Sequence, residues 1–190
     1  MEKSINNFQL TGTESKNSLN ITLTYDFLSN LIELNRYDIL FCIQFNFLSY
    51  QSAIEHAIKI FDENSNQDVI ELILLRLDNN IFPYSIHPYI DTLANSVSLE
   101  QKSKTNEKIP YAILSWLFKN RHEYNYNDLQ NKIDIIYADF DYPKSMSNLC
   151  SYAKHSPKDF AGLKTPIDRL NNEWLKYLEE METLFRKSTI

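Results

Sequence analysis

The chain has 190 residues, 43% hydrophobic and 23% charged, with 19 basic against 25 acidic side chains and a net charge of −6. That length suits a single domain, and a domain of this size buries enough surface to need no disulfide or metal staple. With only two glycines, Gly12 and Gly162, glycine-rich phosphate loops and dinucleotide fingerprints are excluded, and the acidic balance argues against direct nucleic-acid binding.

Residues 1–20 are polar and rich in Asn, Ser and Thr, and read as a flexible or extended N-terminal arm. Phe8 and Leu10 around Thr11-Gly12-Thr13, followed by Leu19, Ile21 and Leu23, also allow a short β-hairpin. Residues 21–190 read as one helical domain. Thr24 is an N-cap for a first helix with Phe27, Leu28, Leu31 and Leu34 at helical spacing. Residues 39–47 fit a strand and a buried helix equally, because periodicity does not separate the two in a short apolar run.

Tyr50, Ile54, Ala57, Ile58 and Phe61 form the apolar stripe of the next helix, which Asn64-Ser65-Asn66 breaks. Asn66 is expected to cap a helix through Asp78, with Val69, Ile70, Ile73, Leu74 and Leu77 inward. Asn79 to Pro83 reads as a turn, and His87-Pro88 as a helix start with proline at the first helical position. Residues 98–108 carry Lys102, Lys104 and Lys108 and read as solvated. Pro110 is expected to start a central helix that is apolar almost all round.

Asn125 or Asn127 caps a helix with Leu129, Ile133, Ile136, Tyr137 and Phe140 inward, which must end before Pro143. A shorter helix through Met146, Leu149 and Tyr152 follows, then a loop over 153–166. Thr165-Pro166-Ile167-Asp168 reads as a capping box with proline at its first helical position. Ile167, Leu170, Trp174, Tyr177, Leu178, Met181, Leu184 and Phe185 face inward on the last helix. Trp116 and Trp174 are both expected to be buried. The fold class is therefore all-α, about eight antiparallel helices. Starts about every 20 residues also fit a short HEAT-like superhelix.

Motif chemistry is sparse. Cys42 and Cys150 form no zinc spacing, and the N-terminus lacks the apolar stretch of a signal peptide, so a reducing cytoplasm is the expected compartment. No run is long and apolar enough for a membrane span. His56, His87, His122 and His155 form no metal set and read as surface or capping residues. No nucleophile has a base at motif spacing, and paired carboxylates such as Glu179/Glu180 suit solvated faces. No cofactor, metal or catalytic residue is expected, and the chain does not read as an enzyme.

Charge is organised in blocks. Residues 55–91 carry seven acids and two bases, and residues 122–141 carry five acids and one base. Three acidic pairs lie seven residues apart, Glu55/Asp62, Glu71/Asp78 and Asp134/Asp141, close to two helical turns and outside the apolar stripes. Stacked helices would align them into an acidic ladder. Tyr124 and Tyr142, at helix ends, are the aromatic contact candidates.

The segment Ile136-Tyr137-Ala138-Asp139-Phe140-Asp141-Tyr142-Pro143, preceded by Trp116-Leu117-Phe118-Lys119-Asn120-Arg121, resembles a motif pair in a bacterial family of helical domains of unknown function. The family's usual Gly before Tyr-Pro is Asp141 here. In size, charge and class the chain is also similar to immunity proteins of contact-dependent inhibition and polymorphic-toxin systems. That resemblance implies a monomeric protein that neutralises a cognate toxin domain, a basic one such as a nuclease. A general interaction adaptor or regulator is the alternative. The expected partner surface is Glu55, Asp62, Glu71, Asp78, Tyr124, Asp134, Asp141 and Tyr142.

Overall fold

The computed structural model describes residues 16–61, 67–75, 83–152 and 165–185. The fold is all-α. Among these residues eight α-helices run in chain order: α1 Tyr25–Leu31, α2 Arg36–Gln44, α3 Gln51–Ile60, α4 Gln67–Leu74, α5 Pro83–Asn95, α6 Leu99–Lys119, α7 Tyr126–Asp139 and α8 Pro166–Phe185. No strand occurs among them. The hairpin around Thr11-Gly12-Thr13, the break at Asn64–Asn66, the turn at Asn79–Phe82 and most of the 153–166 loop lie outside the described residues.

The segment with two open readings, residues 39–47, is mostly α2. Asn35 starts the helix by accepting the backbone N–H of Asp38, while the Asp38 carboxylate takes the backbone N–H of Asn35, a reciprocal capping box. Residues Asp38 to Ile43 are all buried because α3, α5 and α6 pack around the helix. A helix covered on several sides shows no polar stripe, which is why its sequence imitates strand alternation.

Asp38 also joins α2 to α6. Its carboxylate receives the Thr105 hydroxyl at 2.5 Å and the Lys108 ammonium at 2.7 Å, and Lys108 donates to the Glu33 carbonyl at 3.0 Å. This corrects the reading of residues 98–108 as merely solvated. They form the first half of α6, started by a Ser98/Gln101 capping box. Pro110 does not start that helix but lies inside it, as Pro88 lies inside α5. At Pro110 only the bond back to the Asn106 carbonyl is given up. The buried run from Ile109 to Ser115 on the same helix repays that loss by packing.

The caps at Thr24 and Asn125 are present, and Thr165 and Asp168 form the expected box at the start of α8. Core packing runs from Leu28 and Ile32 through α2 and α6 to Trp174, which is fully buried and meets Phe118 edge-on at 5.2 Å. Trp116, expected to be buried, is only partly so, and Leu184, expected inward, is 63% exposed. The short helix after Pro143 is a 3-10 helix, Lys144–Leu149, and Tyr152 beyond it faces solvent.

Candidate protein-binding surface

The surface is built by the way α7 ends. Leu129, Ile133, Ile136 and Tyr137 bury one stripe of this helix, and Phe140 anchors its last turn. The Phe140 ring lies 6.1 Å from Phe47 and 6.2 Å from Phe41, which ties the turn to α2 and the segment after it. Three backbone bonds close the turn: Phe140 N–H to the Ile136 carbonyl, Asp141 N–H to Ala138, and Tyr142 N–H to Tyr137 at 2.9 Å. The last, reaching back five residues over a left-handed Asp141, is a Schellman closure.

Asp141 and Tyr142 are both left-handed, with φ of 59° and 60°. Asp tolerates that region moderately and a bulky tyrosine poorly. The consequence is geometric. Tyr142 leaves the helix axis and sets its ring edge-on to Tyr137, 5.2 Å away at 82°. Tyr152 lies against the same Tyr137 ring at 6.0 Å. Tyr137 is buried, whereas Tyr142 and Tyr152 are 61% and 63% exposed. Two exposed tyrosines thus rest on one buried tyrosine.

Acids border them. Asp134 accepts the Ser151 backbone N–H at 2.9 Å, Asp139 receives both the backbone N–H and the hydroxyl of Ser18, and Asp141 pairs with Lys16. Asp134, half-buried, and Asp141, exposed, therefore already shape loops.

The structure brings Asp134, Asp141 and Tyr142 together around the end of α7. Glu55 lies exposed on α3, its carboxyl raised by partial burial and by the neighbouring charge of Asp26. Glu71, on α4, accepts the Gln67 side-chain amide at 2.9 Å, and hydrogen bonds from Gln67 and Tyr89 lower its carboxyl. α3 and α4 pack on each other, whereas α7 packs on α6 and the 3-10 helix Lys144–Leu149. Glu55 and Glu71 thus belong to a different helix pair from Asp134 and Asp141. Tyr124 lies before α7, about 20 Å from the turn along a helix of 14 residues, half-buried under the Lys132 ammonium at 4.8 Å. Asp62 and Asp78 lie outside the described residues.

Sequence reasoning missed Tyr152, Asp139 and the segment Lys16–Ser18 as parts of this surface. The sequence puts Tyr152 in the short helix with Met146 and Leu149, and no local pattern shows that the chain leaves its 3-10 helix before reaching it. Asp139 carries a signal within the quoted motif, since it lies two residues before Asp141.

Elsewhere the reactive residue types are quiet. Both cysteines are buried; burial pushes the Cys42 thiol well up and, with the Asp134 charge, the Cys150 thiol to about 12. His56 corrects the expectation of a surface or capping histidine: it is buried, with Nδ1 3.2 Å from the Tyr25 hydroxyl. Burial, then the charges of Arg36 and Lys59, push it down to about 4, so it is neutral near pH 7. It lines a cleft of about 210 Å³ with Tyr25, Ser29 and Lys59. Among the described residues no group of three or more His, Cys, Asp or Glu could hold a metal ion, and no helix is long and apolar enough to cross a membrane.

Residues 25–182 match the model of a family described as an uncharacterized protein conserved in bacteria, DUF2247. No curated protein and no solved structure matches the chain.

Proposed function

The chain belongs to the DUF2247 family of bacterial proteins, and from that premise we propose that it is an immunity protein, a cytoplasmic monomer that binds and neutralises a cognate toxin domain. The observation that carries this reading is the exposed pair Tyr142 and Tyr152, seated on Tyr137 and bordered by Asp134, Asp139 and Asp141. Tyrosine is favoured in interface hot spots because it offers a large, stiff contact area with a polar tip. The tyrosines here are held by packing beneath them, so little side-chain freedom is lost on binding.

Charge supports a basic partner. The chain carries −6 overall, and Asp134 and Asp139 add negative charge beside the tyrosines, while Asp141 is balanced by Lys16. A toxin that grips phosphate, such as a nuclease, has a basic cleft. An acidic partner is drawn to such a cleft and associates faster for it. The tyrosines supply the lasting contact and the carboxylates the approach.

The test pairs this chain with a candidate toxin domain, sought among the genes beside its own. Expression of the toxin domain alone should stop growth, and co-expression of this chain should restore it. Rescue by the Tyr142→Ala/Tyr152→Ala variant as complete as by wild type would remove the tyrosine surface from the proposal. No rescue by the wild-type chain would remove the immunity reading.

A further inference from the structure

Residues 16–18 precede the family-matched segment, which begins at residue 25, yet they are fastened to the turn that presents Tyr142. Ser18 grips Asp139 at two points, its backbone N–H donating to Oδ2 at 2.8 Å and its hydroxyl to Oδ1 at 2.6 Å. Lys16 forms the ion pair with Asp141. Between them Asn17 is buried. Its side chain accepts the Ile21 N–H at 2.8 Å and donates to the carbonyls of Ile21 and Phe45 at 3.0 and 3.2 Å. One side of this short segment is thus tied to the end of α2 and the other to the end of α7.

The turn needs an external hold. Asp141 and Tyr142 are consecutive left-handed residues, a conformation that Cβ crowding disfavours for every residue except glycine. Such a pair persists where the surroundings over-determine it. Phe140 fixes the turn from inside. From outside, Ser18 and Lys16 hold the two carboxylates that flank Phe140.

We infer that residues 16–18 are a positioning strap, which holds turn 139–142 in the conformation that turns Tyr142 outward and so sets how well the surface fits its partner. The inference rests on the reading of that surface as a docking site. Its bonds lie at an exposed rim, where ion pairs add little to global stability, so their effect is local.

Amide hydrogen exchange on the free 190-residue chain tests it. In Lys16→Ala/Ser18→Ala, exchange at the Tyr142 amide should rise at least ~10-fold, while Leu114 and Leu117 in α6 stay within about twofold of wild type. The conservative pair Lys16→Arg/Ser18→Thr should restore protection. Tyr142 exchange within twofold of wild type in the alanine pair would overturn the strap, as would an equal rise at Leu114 and Leu117. With the toxin domain, the alanine pair should bind ~10-fold more weakly. If exchange rises locally but binding holds at the wild-type value while Tyr142→Ala weakens it, the strap does not set the fit and the inference falls. If Tyr142→Ala leaves binding unchanged, the docking reading falls, and the strap's role in fit falls with it, whereas its hold on the turn is still decided by exchange.

Discussion

Lys108, near the middle of α6, places its ammonium 2.7 Å from the Asp38 carboxylate at the start of α2, and Asp38 is wholly buried. The carboxylate tolerates burial because every side of it has a donor: Lys108, the Thr105 hydroxyl and the Asn35 backbone N–H. One residue thus caps a helix and joins it to the longest helix of the described fold. Lys108→Ala strips the one charged partner that Asp38 has among the described residues. It should destabilise the protein by ~3–5 kcal/mol, since an uncompensated buried charge remains. Denaturant unfolding measures this, and a loss below ~1 kcal/mol would show that the pair is not what joins α2 to α6.

His56 gives a pH dependence of defined sign. Its folded value, about 4, lies below the ordinary 6.5, so the folded state binds this proton less readily than the unfolded chain does. Its contribution is at its best above about 6.5 and declines as pH falls toward 4. At ~1.4 kcal/mol per pKa unit the full effect is roughly 3 kcal/mol. In His56→Gln the fall in stability between pH 6.5 and 4 should shrink accordingly. Wild-type and variant curves of the same slope would contradict this assignment.

The two tryptophans separate by burial. Trp174 is fully buried against Phe118, so Trp174→Ala should cost ~3–5 kcal/mol. Trp116 is only partly buried, and its replacement should cost distinctly less. The Trp174 ring N–H also has no hydrogen-bond partner among the described residues. Trp174→Phe removes that unmet donor and should cost less than its loss of volume alone implies. Thermal unfolding of the three variants gives the order.

Asn46 is left-handed, with φ of 60°, after the end of α2. Asn46→Ala should destabilise by about 1 kcal/mol, whereas Asn46→Gly should be near neutral, because glycine takes that conformation without a Cβ clash. Equal costs for the two would mean that the Asn46 side chain, and not its backbone, matters.

Much of this fold was legible, for local reasons. Thr24, Asn125 and the Thr165–Asp168 box act on backbone groups three residues away, so their signals lie within a few letters of sequence. Pro110 misled because its cost falls on one bond, while the packing that overrides it comes from other helices. Lys108 read as solvent-facing because Asp38 lies 70 residues away. The candidate surface divides in the same way. Tyr142 and Asp141 stood out beside Pro143. Tyr152 and Ser18 join them only through tertiary contacts with Tyr137 and Asp139, which no periodicity announces.

The central claim is that Tyr142 and Tyr152 hold the partner while the acids around them guide its approach. Titration calorimetry and association kinetics of the neighbouring toxin domain, at two salt concentrations, test it on Tyr142→Ala, Tyr152→Ala and Asp139→Asn/Asp141→Asn. Each tyrosine variant should lose ~2 kcal/mol or more of binding free energy, about 30-fold in Kd, mostly through faster dissociation. The asparagine pair should slow association and flatten its salt dependence, and because it removes the carboxylates that Ser18 and Lys16 hold, its Kd should also rise as in Lys16→Ala/Ser18→Ala. Wild-type Kd in both tyrosine variants of a chain that does bind the toxin would contradict the account.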